Sequence, residues 1–182
     1  MLVISEKKIK EAAPLAALTV RQRFAQARFF INPLNSLIRM GFSRGKKVKS
    51  PIGQAMSFLI RNAMVGEYPD IKVDPALAKL SNGSFVGQQI NTVFRQGDTL
   101  VLEWTLVESR IADVEWDDEL ILCAYDVEQG NAAINEEKVL RRDEKMETAL
   151  PSILHGRPVH LYLVVHDRDR KYFSRSQYLG FY

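Results

Sequence analysis

The hydrophobic period changes along this chain, and that change constrains the fold more than any other feature. Between residues 19 and 66 apolar side chains recur at helical spacing with almost no strand pattern. From about Phe85 onward they alternate and are punctuated by turn signals. The expected fold is therefore α+β: a helical segment with a basic loop and an extended crossing over residues 1–75, then an antiparallel β-sandwich of immunoglobulin or fibronectin III type over 76–182. At 182 residues, 46% of them hydrophobic, with 10 Gly and 7 Pro, the chain has enough apolar content for a core and falls outside collagen-like, disulfide-scaffold and wholly disordered classes.

The helical part divides at its punctuation. Thr19 followed by Gln22 matches a capping box and predicts a helix start, after which Val20, Phe24, Ala27 and Ile31 fall on one face. Asn32-Pro33 predicts a break, Leu34, Leu37 and Ile38 restart the face, and Gly41 is the stop. Ser50-Pro51 predicts a second start, with Ile52, Ala55, Met56, Leu59 and Ala63 as its apolar face. Neither helix is long enough to be stable alone, so both are expected to dock on an apolar surface. Tyr68 to Ser81 reads as an extended crossing that enters the sheet near Ala76 to Leu80.

Strands are expected at Ile90–Arg95 and Thr99–Leu106 around a short hairpin turn, with Leu100, Leu102, Trp104 and Leu106 facing inward. Further strands are expected at Glu119–Asp126, Val139–Arg141, Glu147–Leu150, Val159–His166 and Tyr172–Phe181. Trp104 and Tyr162 suit the core of a two-sheet sandwich.

Charge follows the same division. Residues 1–80 hold 14 Lys and Arg against 5 Asp and Glu, giving +9; residues 81–182 hold 11 against 17, giving −6, within a total of +3. The densest basic run, Ser43 to Lys49, carries Arg44, Lys46, Lys47 and Lys49, and the densest acidic run carries Asp113, Glu115, Asp117, Asp118 and Glu119. Opposite fields on one chain can steer head-to-tail pairing between copies and fix its register. The basic run could instead hold phosphates, although Phe42 is the one aromatic beside it for base stacking.

Site chemistry is sparse. The single Cys123 lies in the run Leu120 to Tyr125 and reads as a buried structural residue, with no disulfide or zinc partner. The acidic run lacks the spacing and central glycine of an EF-hand. His155, His160 and His166 form no metal-ligand pattern, and there is no nucleophile elbow, phosphate loop, dinucleotide fingerprint or H-E-x-x-H. No catalytic residue, metal or cofactor is expected. No window reaches the roughly 20 apolar residues of a membrane span, and charge at Glu6 interrupts any signal-peptide core; cellular location is left open.

Several segments carry a resemblance over nearly the whole chain: Gln22-Arg23-Phe24, Gly41-Phe42, Asn62-Ala63 through Gly66-x-Tyr68-Pro69, Leu80-Ser81-x-Gly83, and Ser176-Gln177-Tyr178-Leu179-Gly180. In this order and spacing the sequence resembles a Bacteroidota family that carries a domain of unknown function. The resemblance implies a helical N-terminal part and an all-β C-terminal part, and no activity. The functional expectation is a non-catalytic structural or adhesive module, working through protein contacts or self-association within a larger assembly. Its basic contacts would be Arg44, Lys46, Lys47 and Lys49, and its acidic contacts Asp113, Glu115, Asp117 and Asp118. The alternatives are nucleic-acid binding through the basic half, and a carbohydrate- or ligand-binding sandwich with Trp116, Tyr172 and Tyr182 clustered on one surface.

Overall fold

The computed structural model describes residues 14–42, 50–106 and 114–182. The chain is α+β. Among the described residues three α-helices come first, α1 (Leu15–Ile31), α2 (Asn35–Gly41) and α3 (Pro51–Asn62), and then ten strands. β1 (Met64–Val65) and β2 (Lys72–Val73) form a small ladder of their own. β3 (Thr92–Gln96) and β4 (Thr99–Glu103) form the expected hairpin across Gly97, whose φ of +60° only glycine adopts readily. The remaining strands are β5 (Glu119–Asp126), β6 (Asn131–Ile134), β7 (Val139–Leu140), β8 (Lys145–Ala149), β9 (His160–His166) and β10 (Gln177–Phe181).

All pairings between these strands are antiparallel. One sheet has the order β10-β9-β5-β6, with β7 on the same edge of β5 as β6; the other has the order β3-β4-β8. Every residue of β5 is buried, which is why Leu120–Tyr125 reads as a continuous apolar run and not an alternating one. Its two faces serve different layers. Ile121, Cys123 and Tyr125, with Tyr162 and Val164 of β9, pack against Ala27, Phe30, Ile31, Leu34, Leu37, Ile38 and Leu59 of the helical layer. Leu120, Leu122 and Ala124, with Leu161, Leu163 and Val165, pack against Leu100, Leu102, Trp104 and Met146 of the three-stranded sheet. The Phe30 and Tyr125 rings meet edge to face at 5.1 Å, and Tyr125 Oη donates to Phe30 O at 3.0 Å, so the end of α1 is pinned to the centre of β5.

Several local expectations are corrected. α1 begins at Leu15 behind Pro14, one turn earlier than the Thr19 start; Thr19 Oγ1 bonds back to Leu15 O inside the helix, and Gln22 donates to Pro69 O instead of closing a capping box. Ala27 and Ile31 are buried as expected, but Val20 and Phe24 are each 53% exposed, while Leu18 and Gln22 of the same turns are partly covered. No strand forms over Ala76 to Leu80; Pro75–Leu77 is a 3-10 turn capped by Asp74. β6 was not expected at all. By contrast Ser50 caps α3, accepting from Gly53 N at 3.2 Å, and Asn32–Leu34 forms the expected break.

The helices and the sheet are joined along a backbone seam. Ser81, fully buried, donates to Ser174 O, and its hydroxyl lies 3.1 Å from Gly41 O; Asn82 N donates to Gly41 O, and Leu80 N to Ser176 Oγ. The approach is so close that a Cβ on Gly41 would lie 2.5 Å from Ser81 Cβ, and one on Gly83 1.8 Å from Phe173 O. Gly41, Ser81, Gly83 and Ser176, which lie in three of the segments that carry the resemblance, thus meet at one place in the fold.

Candidate functional site

The acidic run folds around a buried arginine. Arg141 and Asp118 are each 2% exposed in their side chains and pair at 2.8 Å, Nε to Oδ2. The Arg141 guanidinium also donates to Gly87 O (3.0 Å), Gln88 Oε1 (2.9 Å) and Val86 O (2.6 Å), and its carbonyl accepts from Trp104 Nε1 at 2.7 Å. Asp118 Oδ2 further accepts from Glu115 N, and Asp118 O from Arg141 N at 2.9 Å. Burial pushes the Asp118 carboxyl up and the Arg141 guanidinium down from their ordinary ranges, and the hydrogen bonds to Asp118 act against both shifts. This network ties together residues 86–88, the 115–118 turn and the start of the 141–143 turn. It sets the shape of the surface above it.

That surface is a cleft of about 380 Å³ between the 115–118 turn and the β9–β10 connection. Five carboxylates and one guanidinium line it: Glu115, Asp117, Asp118, Asp167, Asp169 and Arg168. Arg168 reaches Asp117 at 3.4 Å, Asp169 accepts from Lys171 at 2.9 Å, and Asp167 Oδ1 accepts from Tyr172 N. The Lys171 ammonium holds the Asp169 carboxyl below its usual range. Trp116 stands in the cleft, 49% exposed, with the Arg142 guanidinium 4.6 Å from its ring centre. Behind the cleft, Glu119 Oε1 takes Arg170 at 3.1 Å and lies 3.7 Å from His166 Nε2, and Glu119 Oε2 takes Lys138 at 3.5 Å. These contacts hold the outer hairpin loop against the base of β5.

Of the acidic contacts expected from sequence, Glu115 and Asp117 face this cleft, and Asp118 turns its charge inward to Arg141. Asp113 lies outside the described residues, as do Arg44, Lys46, Lys47 and Lys49. Trp116 is at the cleft and Tyr172 belongs to its hairpin loop, whereas Tyr182 packs against the inter-sheet core. Arg141 was missed. It ends the expected strand Val139–Arg141, between the charged pairs Glu136-Glu137 and Asp143-Glu144, and only the neighbouring apolar Val139-Leu140 hints that the chain turns inward there.

On the helical layer, the first turns of α1 present Val20 and Phe24 at i and i+4, with Arg21 three residues before Phe24 and Arg28 four residues after it. Leu15 and Phe29 add further exposed apolar surface. Arg21, Arg23 and Arg28 are exposed, and none makes an ion pair among the described residues.

The remaining reactive groups are committed to the fold. Burial pushes the Cys123 thiol up to about 12. His155 bonds Leu150 O at 2.9 Å, His160 bonds Tyr178 Oη at 2.9 Å and His166 bonds Asp167 O at 2.7 Å. Ser174 Oγ accepts from Val165 N and donates to Arg175 O. Among the described residues no group of three or more His, Cys, Asp or Glu side chains is placed to hold a metal ion, and no helix is long and apolar enough to cross a membrane.

No curated protein and no solved structure matches the chain. A family model does match, over residues 3–180, and it covers the helical layer, the seam and both sheets. The chain therefore belongs to DUF6266, a family of unknown function.

Proposed function

We propose that the protein is a non-catalytic interaction module that associates with copies of itself, the apolar and basic face of α1 on one copy meeting the acidic cleft of the next. The observation that carries this reading is the exposed stripe of α1, where Val20 and Phe24 continue the row of buried Ala27 and Ile31 into solvent beside three arginines that make no ion pair among the described residues. Charge complementarity names the occupant: the acidic cleft of the same chain offers Glu115, Asp117, Asp167 and Asp169 with a half-exposed Trp116. Such a contact either is exchanged reciprocally in a two-fold dimer or, if heterologous, closes into a ring or propagates. The basic residues Arg44, Lys46, Lys47 and Lys49 belong to the same positive half and would add to its field.

The scaffold in this proposal is a sandwich of immunoglobulin or fibronectin III type. Counting from β3, one sheet takes the first, second and sixth strands and the other takes the eighth, seventh, third and fourth, with β7 as an extra short pairing. The A-B-E and G-F-C neighbours of an immunoglobulin fold follow the same order. That support concerns architecture alone, since this fold hosts many functions.

The test is V20E/F24E, two substitutions at exposed positions. Losing two apolar side chains from an interface weakens association by at least about 100-fold, taking roughly 1.5 kcal/mol for each. Light scattering after size exclusion should show a concentration-dependent mass for the wild type and a monomer for the variant. A wild-type monomer at high concentration overturns the reading, and a monomer that is retained by a DNA duplex and released by salt transfers it to the nucleic-acid alternative.

A further inference from the structure

The seam between the helical layer and the sheet opens at the surface into a second cleft, of about 230 Å³, remote in sequence from the acidic run. Its floor is apolar, from Met40, Phe42 and Phe173, and its rim is polar, with Gln54, Asn82, Ser84, Lys171 and Arg175. The floor is rigid. Phe42 and Phe173 are 5% and 6% exposed, and Gly41 and Gly83 bring the two backbones on either side into direct contact. Arg175 is exposed and its guanidinium makes no hydrogen bond or ion pair among the described residues, in a chain where nearly every other rim cation of the β half, from Arg95 to Lys171, has a carboxylate or carbonyl partner. Its backbone is fixed by the bridge to Asn82, and Ser174 before it is buried and bonded at both ends.

An apolar pocket with a few convergent polar groups is the general form of a small-ligand site. The volume lies below the roughly 300–1,000 Å³ of sites for drug-sized ligands, so one amino-acid-sized group fits and a nucleotide does not. The rim offers three uncharged hydrogen-bonding side chains, two cations and no carboxylate; Lys171 is already paired with Asp169 at 2.9 Å, which leaves Arg175 as the cation without an ion pair among the described residues. An inorganic anion would satisfy Arg175 and leave the aromatic floor uncovered, whereas a neutral apolar group would leave the guanidinium unpaired. We propose that this cleft binds a small monocarboxylate with a single apolar or aromatic side chain, the carboxylate on Arg175 and the side chain on Met40, Phe42 and Phe173. The pairing is a charge-assisted, bidentate hydrogen bond, the arrangement for which a guanidinium is suited.

The probe is N-acetylphenylalanine, titrated into the full-length protein and followed by amide chemical shifts, with N-acetylphenylalaninamide and inorganic phosphate as controls. The acid should shift resonances of residues 40–42, 82–84 and 173–175 in a saturable way. R175M should weaken it at least about tenfold, as expected for loss of a hydrogen bond to a charged group. N82D, which places a negative charge on the rim, should weaken it as well; both positions are exposed, so an unchanged melting midpoint shows that the fold is intact. Equal binding of acid and amide, unchanged affinity of R175M, stronger binding of phosphate than of the acid, or no shift in the seam residues each overturns the proposal. Self-association is measured separately, and R175M should leave it as in the wild type, so the two readings fail independently.

Discussion

Breaking the Arg141–Asp118 pair should be the most damaging charge substitution in the β half. Both side chains are 2% exposed, so D118A leaves a guanidinium without its counter-ion and out of reach of water. Removing one partner of a buried pair costs about 3–5 kcal/mol. R141A leaves a carboxylate in the same condition and also strips donors from Val86 O, Gly87 O and Gln88 Oε1. Of these Gln88 is buried while Val86 and Gly87 are exposed enough to hydrate, so its cost should lie near the upper end of that range. In D118A/R141A no unpaired charge is left, and the double variant should be more stable than the sum of the singles implies, by about 2–3 kcal/mol of coupling. Urea unfolding followed by fluorescence of Trp104 and Trp116 reads this directly. With a slope of about 2–3 kcal/mol per molar for a chain of this size, each single variant should lose about 1.5–2 M in midpoint. A loss below about 0.5 M for D118A, or strictly additive effects, would refute the claim that this pair organises the base of the cleft.

G83A should destabilise the fold by at least about 1–3 kcal/mol, because its Cβ would meet a backbone carbonyl that cannot swing away; a thermal midpoint equal to wild type would contradict the seam geometry. Cys123 should resist iodoacetamide at pH ~8 in the native protein and react once the chain is unfolded in denaturant, as followed by mass spectrometry, since its thiol is fully buried and pushed up to about 12. Burial would raise the Asp126 carboxyl, but its bond from Arg157 and the N–H groups of Gln129 and Glu128 outweigh that and hold it below the ordinary range. A depressed acid contributes stability that is present above its unfolded value of about 3.9 and is lost as pH falls through the folded value, so the stability gap between wild type and D126N should be full at neutral pH and shrink below pH ~4.

The elements legible in the sequence are those whose signal is local. Ser50-Pro51, Asn32-Pro33, the Gly97 turn and the uninterrupted run of β5 each fix backbone geometry within a few residues, and each forms where the pattern places it. Misread segments depend on what packs above them. Helical period identifies Val20 and Phe24 as one face with Ala27 and Ile31, yet periodicity reports which residues share a face and not whether anything covers it. β6 is held by Asn135, whose side-chain oxygen accepts from Leu122 N and whose amide donates to Glu137 O, a pairing that no alternation of apolar residues announces. At the cleft the sequence identifies the acidic run, and Glu115 and Asp117 do face it. Asp118 turns inward because its partner, Arg141, lies 23 residues away and is brought beside it by the β5–β7 pairing. Asp167 and Asp169 complete the cleft from the β9–β10 loop, a juxtaposition set by topology and invisible to spacing.

The central claim is that the exposed row of α1 and the acidic cleft recognise each other between copies. The most direct measurement is the mass of the full-length protein by light scattering at about 50 mM and about 500 mM salt, where screening contracts from roughly 14 to 4 Å. Wild type, V20E/F24E and D117K/D169K should be compared at one protein concentration. The account predicts an assembly for wild type that shrinks with salt, and a monomer for each variant at both salts. A wild type that is monomeric at low salt, or a D117K/D169K variant that assembles as wild type does, would contradict it.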